Sequence, residues 1–190
     1  MDPIATQKRA LRAQLRRDRE LAFMQASWLH ILQTPEIQSA EIVASYISYG
    51  YEPQTLDIND ALIRAGKTVI LPRTLKDKSL EWVTWGGGQS SLRKKGKVLE
   101  PHGKVFNQLK SIAVVIVPAL AIDREGNRMG QGGGSYDRTL AQIPGWKVGL
   151  VGGEEIRGEP LPTEDHDQPL DAAATPALLL RFTRDAHGHL

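Results

Sequence analysis

The chain has 190 residues, 24 Lys plus Arg against 22 Asp plus Glu, no cysteine and 41% hydrophobic residues. That is enough for one domain with a sizeable core, and a net charge of +2 predicts neither a nucleic-acid coat nor a membrane-surface protein. Missing thiols exclude disulfides, thiolate zinc sites, iron–sulfur clusters and a cysteine nucleophile. The longest apolar run, Ile112–Ile122, is 11 residues and contains Pro118, well under the roughly 20 that span a bilayer. No secretory signal is visible behind the basic N-terminus, so the expectation is a soluble, cytoplasmic protein without nucleic-acid or membrane partners.

A helix is predicted from Thr6 to Leu32, stopped by Thr34-Pro35, making residues 1–33 a basic N-terminal helix. Helical spacing puts Lys8, Arg12, Arg16 and Arg19 on one narrow sector beside Leu11, Leu15 and Ala22. Such a face is either solvated or a contact for phosphates. Strands are then predicted at Glu41–Ser48, Lys67–Leu71 and Glu81–Trp85, with a helix over 56–66 between the first two. The glycines Gly86–Gly88 read as a plain loop, followed by a polar, basic stretch through Lys97. Ile112–Val117 has no polar alternation and reads as a strand buried on both faces. A short helix over Tyr136–Ile143 and a strand at Lys147–Val151 complete an α/β alternation. Residues 181–190 read as a polar, loose tail on a single domain spanning 1–190.

Chemistry concentrates in VPALAIDREGNRMGQGGGSYDRTL, residues 117–140, where five glycines fall within nine residues just past the buried strand. Glycines let a ligand approach the backbone, consecutive amides make an anion-binding concavity, and a following helix start adds a favourable dipole. Arg128 adds a fixed positive charge, and Asp137 a carboxylate suited to Mg²⁺. The plain alternative is a surface loop whose Asp137 caps a helix, since neither P-loop nor G-x-G-x-x-G spacing is present. A second acidic cluster, Glu164-Asp165-His166-Asp167, either completes a metal site or is a solvated turn; His166 is not counted as a ligand, because Mg²⁺ prefers oxygen.

The 117–140 segment resembles the 5-formyltetrahydrofolate cyclo-ligase (methenyltetrahydrofolate synthetase) family, which shows P-x-L-x-hydrophobic-D-x-x-G-x-R-L-G-x-G-x-G-aromatic-Y-D. KRALR at Lys8–Arg12, SYISYGYEPQT at Ser45–Thr55, GKTVILPR at Gly66–Arg73 and EDHDQPLD at Glu164–Asp171 are similar to its other motifs, in family order. The resemblance implies a three-layer α/β/α fold on a mixed, mainly parallel sheet, like that of sugar-phosphate isomerases and CoA-transferases. It also implies an enzyme, most simply a monomer, that uses ATP and Mg²⁺ to cyclise 5-formyltetrahydrofolate to 5,10-methenyltetrahydrofolate through phosphorylation of the formyl oxygen.

Carried over, Lys8, Arg9, Ala10, Leu11 and Arg12, with Arg128, Met129, Gly130, Gln131, Gly132, Gly133, Gly134, Ser135 and Tyr136, would bind ATP. Arg128 and Tyr136 would serve the reacting groups. Tyr49, Glu52 and Gln54, with Gln131–Ser135, would bind the folate, and Asp137 and Asp167 the metal. The chain departs from the pattern at Gln54 (usually acidic, so that Gln54→Glu is expected to tighten folate binding), at Ser135 (aromatic) and at Gly152-Gly153 (often aromatic). These departures leave open a related ATP-dependent enzyme with a different formamide or carboxylate substrate. The basic helix leaves open a non-catalytic nucleotide- or RNA-binding module.

Overall fold

The computed structural model describes residues 3–183. Its centre is a seven-stranded sheet built from β1 (Ile42–Ala44), β2 (Thr68–Thr74), β3 (Leu80–Trp85), β6 (Val114–Pro118), β9 (Trp146–Leu150), β11 (Ala172–Ala174) and β12 (Leu179–Arg181), in the order β12-β11-β9-β6-β1-β2-β3. The five inner strands run parallel, and the two edge strands, β3 and β12, run antiparallel. The mixed, mainly parallel α/β sheet expected from the resemblance is therefore present.

Its layers follow from strand period. On β6, Val114 and Ile116 pack into one core with Trp28, Ile37, Ile58 and Leu62, whereas Val115 and Val117 pack into the other with Leu140 and Ile143. Helices α2 (Pro35–Ser39) and α3 (Leu56–Arg64) cover the first face, and α4 (Ser135–Leu140) the second. A third cluster at the end of the sheet, formed by Leu15, Leu120, Ala121, Met129 and Leu161, receives α1 (Pro3–Leu21).

Four expectations are corrected. First, α1 stops at Leu21, and Leu29–Gln33 is a separate 3-10 turn. The intervening chain has helix-compatible composition, but tertiary contacts override it: the buried Trp28 indole N–H donates to the carbonyls of Val151 (3.0 Å) and Ala174 (3.2 Å) at strand ends. Second, β1 ends at Ala44 rather than Ser48, because the Tyr46 carbonyl is taken by Thr55 Oγ1 (2.6 Å) and Asn59 Nδ2 (2.9 Å) instead of a neighbouring strand.

Third, the basic stretch after Gly88 is a hairpin of β4 (Leu92–Lys95) and β5 (Val98–Pro101). β4 is mostly charged and exposed and β5 is only four residues long, so neither carries a periodic hydrophobic signal. Fourth, Arg181 is not in a loose tail. It ends β12 and pairs with Glu36 at 2.8 Å, and the Phe182 amide donates to the Asp171 carbonyl. Residues 184–190 of the expected tail lie outside the described residues. Three short strands, β7 (Ala121–Asp123), β8 (Arg128–Met129) and β10 (Ile156–Arg157), form a small sheet beside the main one.

Candidate functional site

A cleft of about 480 Å³ opens where β1, β2 and β6 end, the crevice beyond the carboxyl ends of parallel strands where α/β proteins place ligands. Each wall comes from a different stretch of sequence: Lys8 and Arg12 from α1; Tyr46, Tyr49 and Glu52 after β1; Val98–Glu100 of the hairpin; Arg128–Asp137; and Glu164, His166 and Asp167.

The glycine loop is held from below and from the side. Buried Asp123 accepts the amides of Glu125 and Asn127 (2.9 Å each) and, through its other oxygen, the amide of Leu161 (2.9 Å), fixing the turn from β7 to β8. Arg12 Nε donates to the Gly130 carbonyl at 3.0 Å, and Arg16 Nη2 to that of Gln131 at 2.8 Å. Glycine is required where the backbone turns left-handed. Gly126 has φ +79°, and a Cβ there would lie 2.6 Å from the Leu170 carbonyl oxygen. Gly132 has φ +99°, with the Arg12 guanidinium 3.3 Å from where its Cβ would sit. Since α4 has six residues, its dipole adds little to what the loop amides and guanidinium groups supply, contrary to the weight the sequence reading gave it.

Three of the four residues on the basic face of α1 turn into the protein, and Arg16 stays exposed. Lys8 and Arg19 are buried. Arg19 grips Glu155 and the Ala119 carbonyl (2.6 Å), tying α1 to the sheet. Lys8 donates to Glu164 (2.6 Å) and Asp167. Burial lowers the Lys8 pKa, but the two carboxylates outweigh it and the net shift is upward. Asp167 is likewise pushed up by burial and pulled further down by Lys8 and the Glu164 amide, so its pKa falls below the usual value. The solvated reading of this helical face is thereby excluded for Lys8, Arg12 and Arg19.

Arg128 and Asp137 form a second internal pair, Nη2 to Oδ1 at 2.7 Å, with side chains only 5% and 14% exposed. The guanidinium also sits 5.6 Å from the centroid of the Tyr136 ring, a cation–π contact. Tyr136 packs edge-on against Trp82, and burial raises its phenol pKa, so the hydroxyl stays neutral. Among the described residues, Arg128 Nε and the Tyr46 hydroxyl are buried without hydrogen-bond partners. Glu52 is buried, and desolvation raises its pKa although it accepts the Tyr49 amide (3.2 Å) and the Gln131 side chain (3.4 Å). The ligand atoms of Glu164, His166 and Asp167 lie within 4.8 Å of one another.

A sequence model of the 5-formyltetrahydrofolate cyclo-ligase family matches residues 4–176. The chain belongs to this family. It is 34% identical over 149 residues to the 5-formyltetrahydrofolate cyclo-ligase of Escherichia coli K12, covering 75% of this chain and 82% of that one. To the Haemophilus influenzae 5-formyltetrahydrofolate cyclo-ligase it is 31% identical, over 88% of this chain and 92% of the relative. The fold is that of the solved 5,10-methenyltetrahydrofolate synthetase of Aquifex aeolicus, with a TM-score of 0.78, 24% identity and coverage of 96% of this chain and 99% of that one. The chain is thus a member of a ligase family, and no helix among its described residues is long and apolar enough to cross a membrane.

Most of the residues marked by the cyclo-ligase resemblance meet in this cleft: Lys8, Arg12, Tyr49, Glu52, Arg128–Asp137 and Asp167 all line it. Four do not. Arg9 and Ala10 lie on the exposed side of α1, and Leu11 packs beneath it on the third cluster. Gln54 is exposed and lines an adjoining, largely apolar pocket of about 360 Å³ with Phe23, Met24, Trp28 and Tyr51, which shares Glu52 with the cleft. Its amide accepts from Ser48 Oγ and donates to the Glu52 carbonyl. The carboxylate that reaches the cleft from this loop is that of Glu52, so the Gln54 departure does not alter the cleft wall. Sequence reading gave no site role to Tyr46 or the hairpin residues Val98–Glu100, and named Glu164 only as part of an acidic cluster open to a metal; the hairpin itself had no periodic signal.

Proposed function

We propose that the chain catalyses the ATP- and Mg²⁺-dependent cyclisation of 5-formyltetrahydrofolate to 5,10-methenyltetrahydrofolate, releasing ADP and phosphate. The observation that carries this reading is the convergence, in one cleft, of a glycine loop with inward-turned Lys8, Arg12 and Arg128 and with the carboxylates Asp137 and Asp167. Amides and fixed cations are what a triphosphate needs, because phosphoryl transfer rests on positioning and charge stabilisation rather than on a protein nucleophile.

The residues present fit both groups. The buried, unpartnered Arg128 Nε is a donor without an acceptor, which a phosphate oxygen would supply. Asp137 and Asp167, with Glu164 adjoining, offer the hard oxygen ligands that Mg²⁺ takes. When bound, the ion neutralises charge on the phosphates. Lys8, Arg12 and the 130–134 amides hold the triphosphate, and Arg128 and neutral Tyr136 face its terminal group. Tyr49, Glu52 and Gln131–Ser135 orient the folate. The formyl oxygen attacks the γ-phosphorus and ADP departs. The neighbouring secondary amine then attacks the formyl carbon, loses its proton, and phosphate leaves with the original formyl oxygen.

The test is incubation with Mg²⁺, ATP and 5-formyltetrahydrofolate, following the near-ultraviolet absorbance of the methenyl product against ADP release. Folded protein that forms no product beside an active control overturns the proposal. Ser135, standing on the cleft wall where the family carries an aromatic ring, favours a second reading in which another formamide or a carboxylate is the acceptor. ADP release across an acceptor panel separates the two. We place the activity in the cytoplasm, in a monomer.

A further inference from the structure

We infer that Arg16 is a positioning residue that, through the side chain of Gln131, couples the nucleotide-binding loop to the carboxylate of Glu52 at the acceptor end of the cleft. The inference rests on the assignment of the glycine loop to the nucleotide and of Glu52 to the acceptor.

Helix α1 meets the loop at two successive turns. Arg12 holds the Gly130 carbonyl and Arg16 the Gln131 carbonyl, at 3.0 and 2.8 Å. In a planar trans peptide, the carbonyl of one residue and the amide N–H of the next point in opposite directions. Drawing these two carbonyls to the helix therefore turns the amides of Gln131 and Gly132 away from it. Arg12 alone fixes one of those peptide planes, and Arg16 fixes the second.

Arg16 makes a further contact that Arg12 does not. Its Nε donates to Gln131 Oε1 at 3.0 Å, while Gln131 Nε2 donates to Glu52 Oε1 at 3.4 Å. The amide can stand only this way round. Reversed, its NH₂ would face the guanidinium donor and its oxygen the carboxylate, so both contacts would repel. Arg16 thus aims a donor at Glu52 without touching it.

Glu52 needs that donor, because burial disfavours its charged form and its remaining contact is the Tyr49 amide. Arg19 of α1, Tyr46 and Tyr49 after β1, and Tyr136 of α4 complete its electrostatic surroundings. Arg16 and Gln131 are themselves exposed, so the core does not require their contact. Gln131 already stands against Glu52 in the structure, so a nucleotide that favours this loop arrangement also favours ionised Glu52. An acceptor that holds Glu52 ionised favours the arrangement in return, because such coupling is reciprocal.

The test uses the full chain with Arg16→Ala, Arg16→Lys and Gln131→Ala. Affinity for a non-hydrolysable ATP analogue with Mg²⁺ is measured by calorimetry, and the Glu52 carboxyl titration by ¹³C NMR, assigned with Glu52→Gln. Arg16→Ala is expected to weaken the analogue about tenfold through loss of its charge-assisted contact to the loop carbonyl, and to move the Glu52 titration upward through loss of its contact to Gln131 Oε1. Gln131→Ala should move that titration the same way, and the effects of the two should not add in the double variant. Arg16→Lys, which can reach one of the two oxygens, should recover part of both. Analogue affinity within about twofold of wild type, or an unmoved Glu52 titration, overturns the inference. Neither readout requires turnover, so a wild type that binds the analogue but does not cyclise 5-formyltetrahydrofolate would refute the proposed reaction and leave Arg16 to be judged separately.

Discussion

Removing the carboxylate of Asp137 separates its observed duty, holding a buried guanidinium, from its proposed one, offering an oxygen to a cation. In Asp137→Ala, Arg128 Nη2 loses its 2.7 Å acceptor in a side chain that is 5% exposed and whose Nε already has no partner among the described residues. Breaking a buried pair in this way costs about 3–5 kcal/mol, and a chain of this size loses about 2–4 °C of Tm per kcal/mol. A fall of roughly 6–20 °C is therefore expected. Asp137→Asn keeps an oxygen for Nη2 and forfeits only the charge, a loss of about 1–2 kcal/mol. Turnover should fall at least about a hundredfold in both variants. Thermal melts at neutral pH, read beside the methenyl-product assay, test the two duties together. An alanine variant melting within about 2 °C of wild type would refute the buried-pair argument. An asparagine variant with wild-type turnover would refute the role of the charge.

Asp167 has its folded pKa held below the usual 3.8, mainly by Lys8 acting against burial. Its contribution to stability is present above the unfolded pKa and is lost as pH falls through the folded one. Asp167→Asn should therefore flatten the fall in urea midpoint between about pH 5 and pH 2.5, and an unchanged fall would contradict the pairing. Glu52 is the opposite case, its pKa raised above 4.5 by desolvation. Its ionised form costs stability above the unfolded pKa, and that cost vanishes below it. Glu52→Gln should raise Tm at neutral pH, lose that gain near pH 4 (about the unfolded pKa), and lower turnover; a destabilised variant at neutral pH would count against the burial account. Because Gln54 lies outside the cleft, Gln54→Glu is now expected to leave acceptor KM within about twofold. A tenfold change would move the acceptor to the apolar pocket.

The site was legible where chemistry is written locally. Glycines beside Arg128 and Asp137 form a locally readable motif, and helical spacing puts Lys8 and Arg12 on one face, so that all of them line the same cleft. What stayed hidden depends on distant partners. That Lys8 turns inward is decided by Glu164 and Asp167, more than 150 residues away. The end of α1 is set by where the Trp28 indole finds its carbonyls, and no local residue announces it. Glu52 and Gln54 are indistinguishable as loop residues until the loop is folded, when Glu52 reaches the cleft and Gln54 lines only the adjoining apolar pocket. The β4–β5 hairpin was missed because β4 carries charge on an exposed strand and β5 is too short to show an alternation.

The central claim is that the cleft moves a phosphoryl group onto the formyl oxygen of the acceptor. A single turnover with ¹⁸O in that formyl group, followed by mass analysis of the released inorganic phosphate, tests it directly. The label should appear in the phosphate in step with the methenyl product. Unlabelled phosphate accompanying product would show that ATP is cleaved by another route.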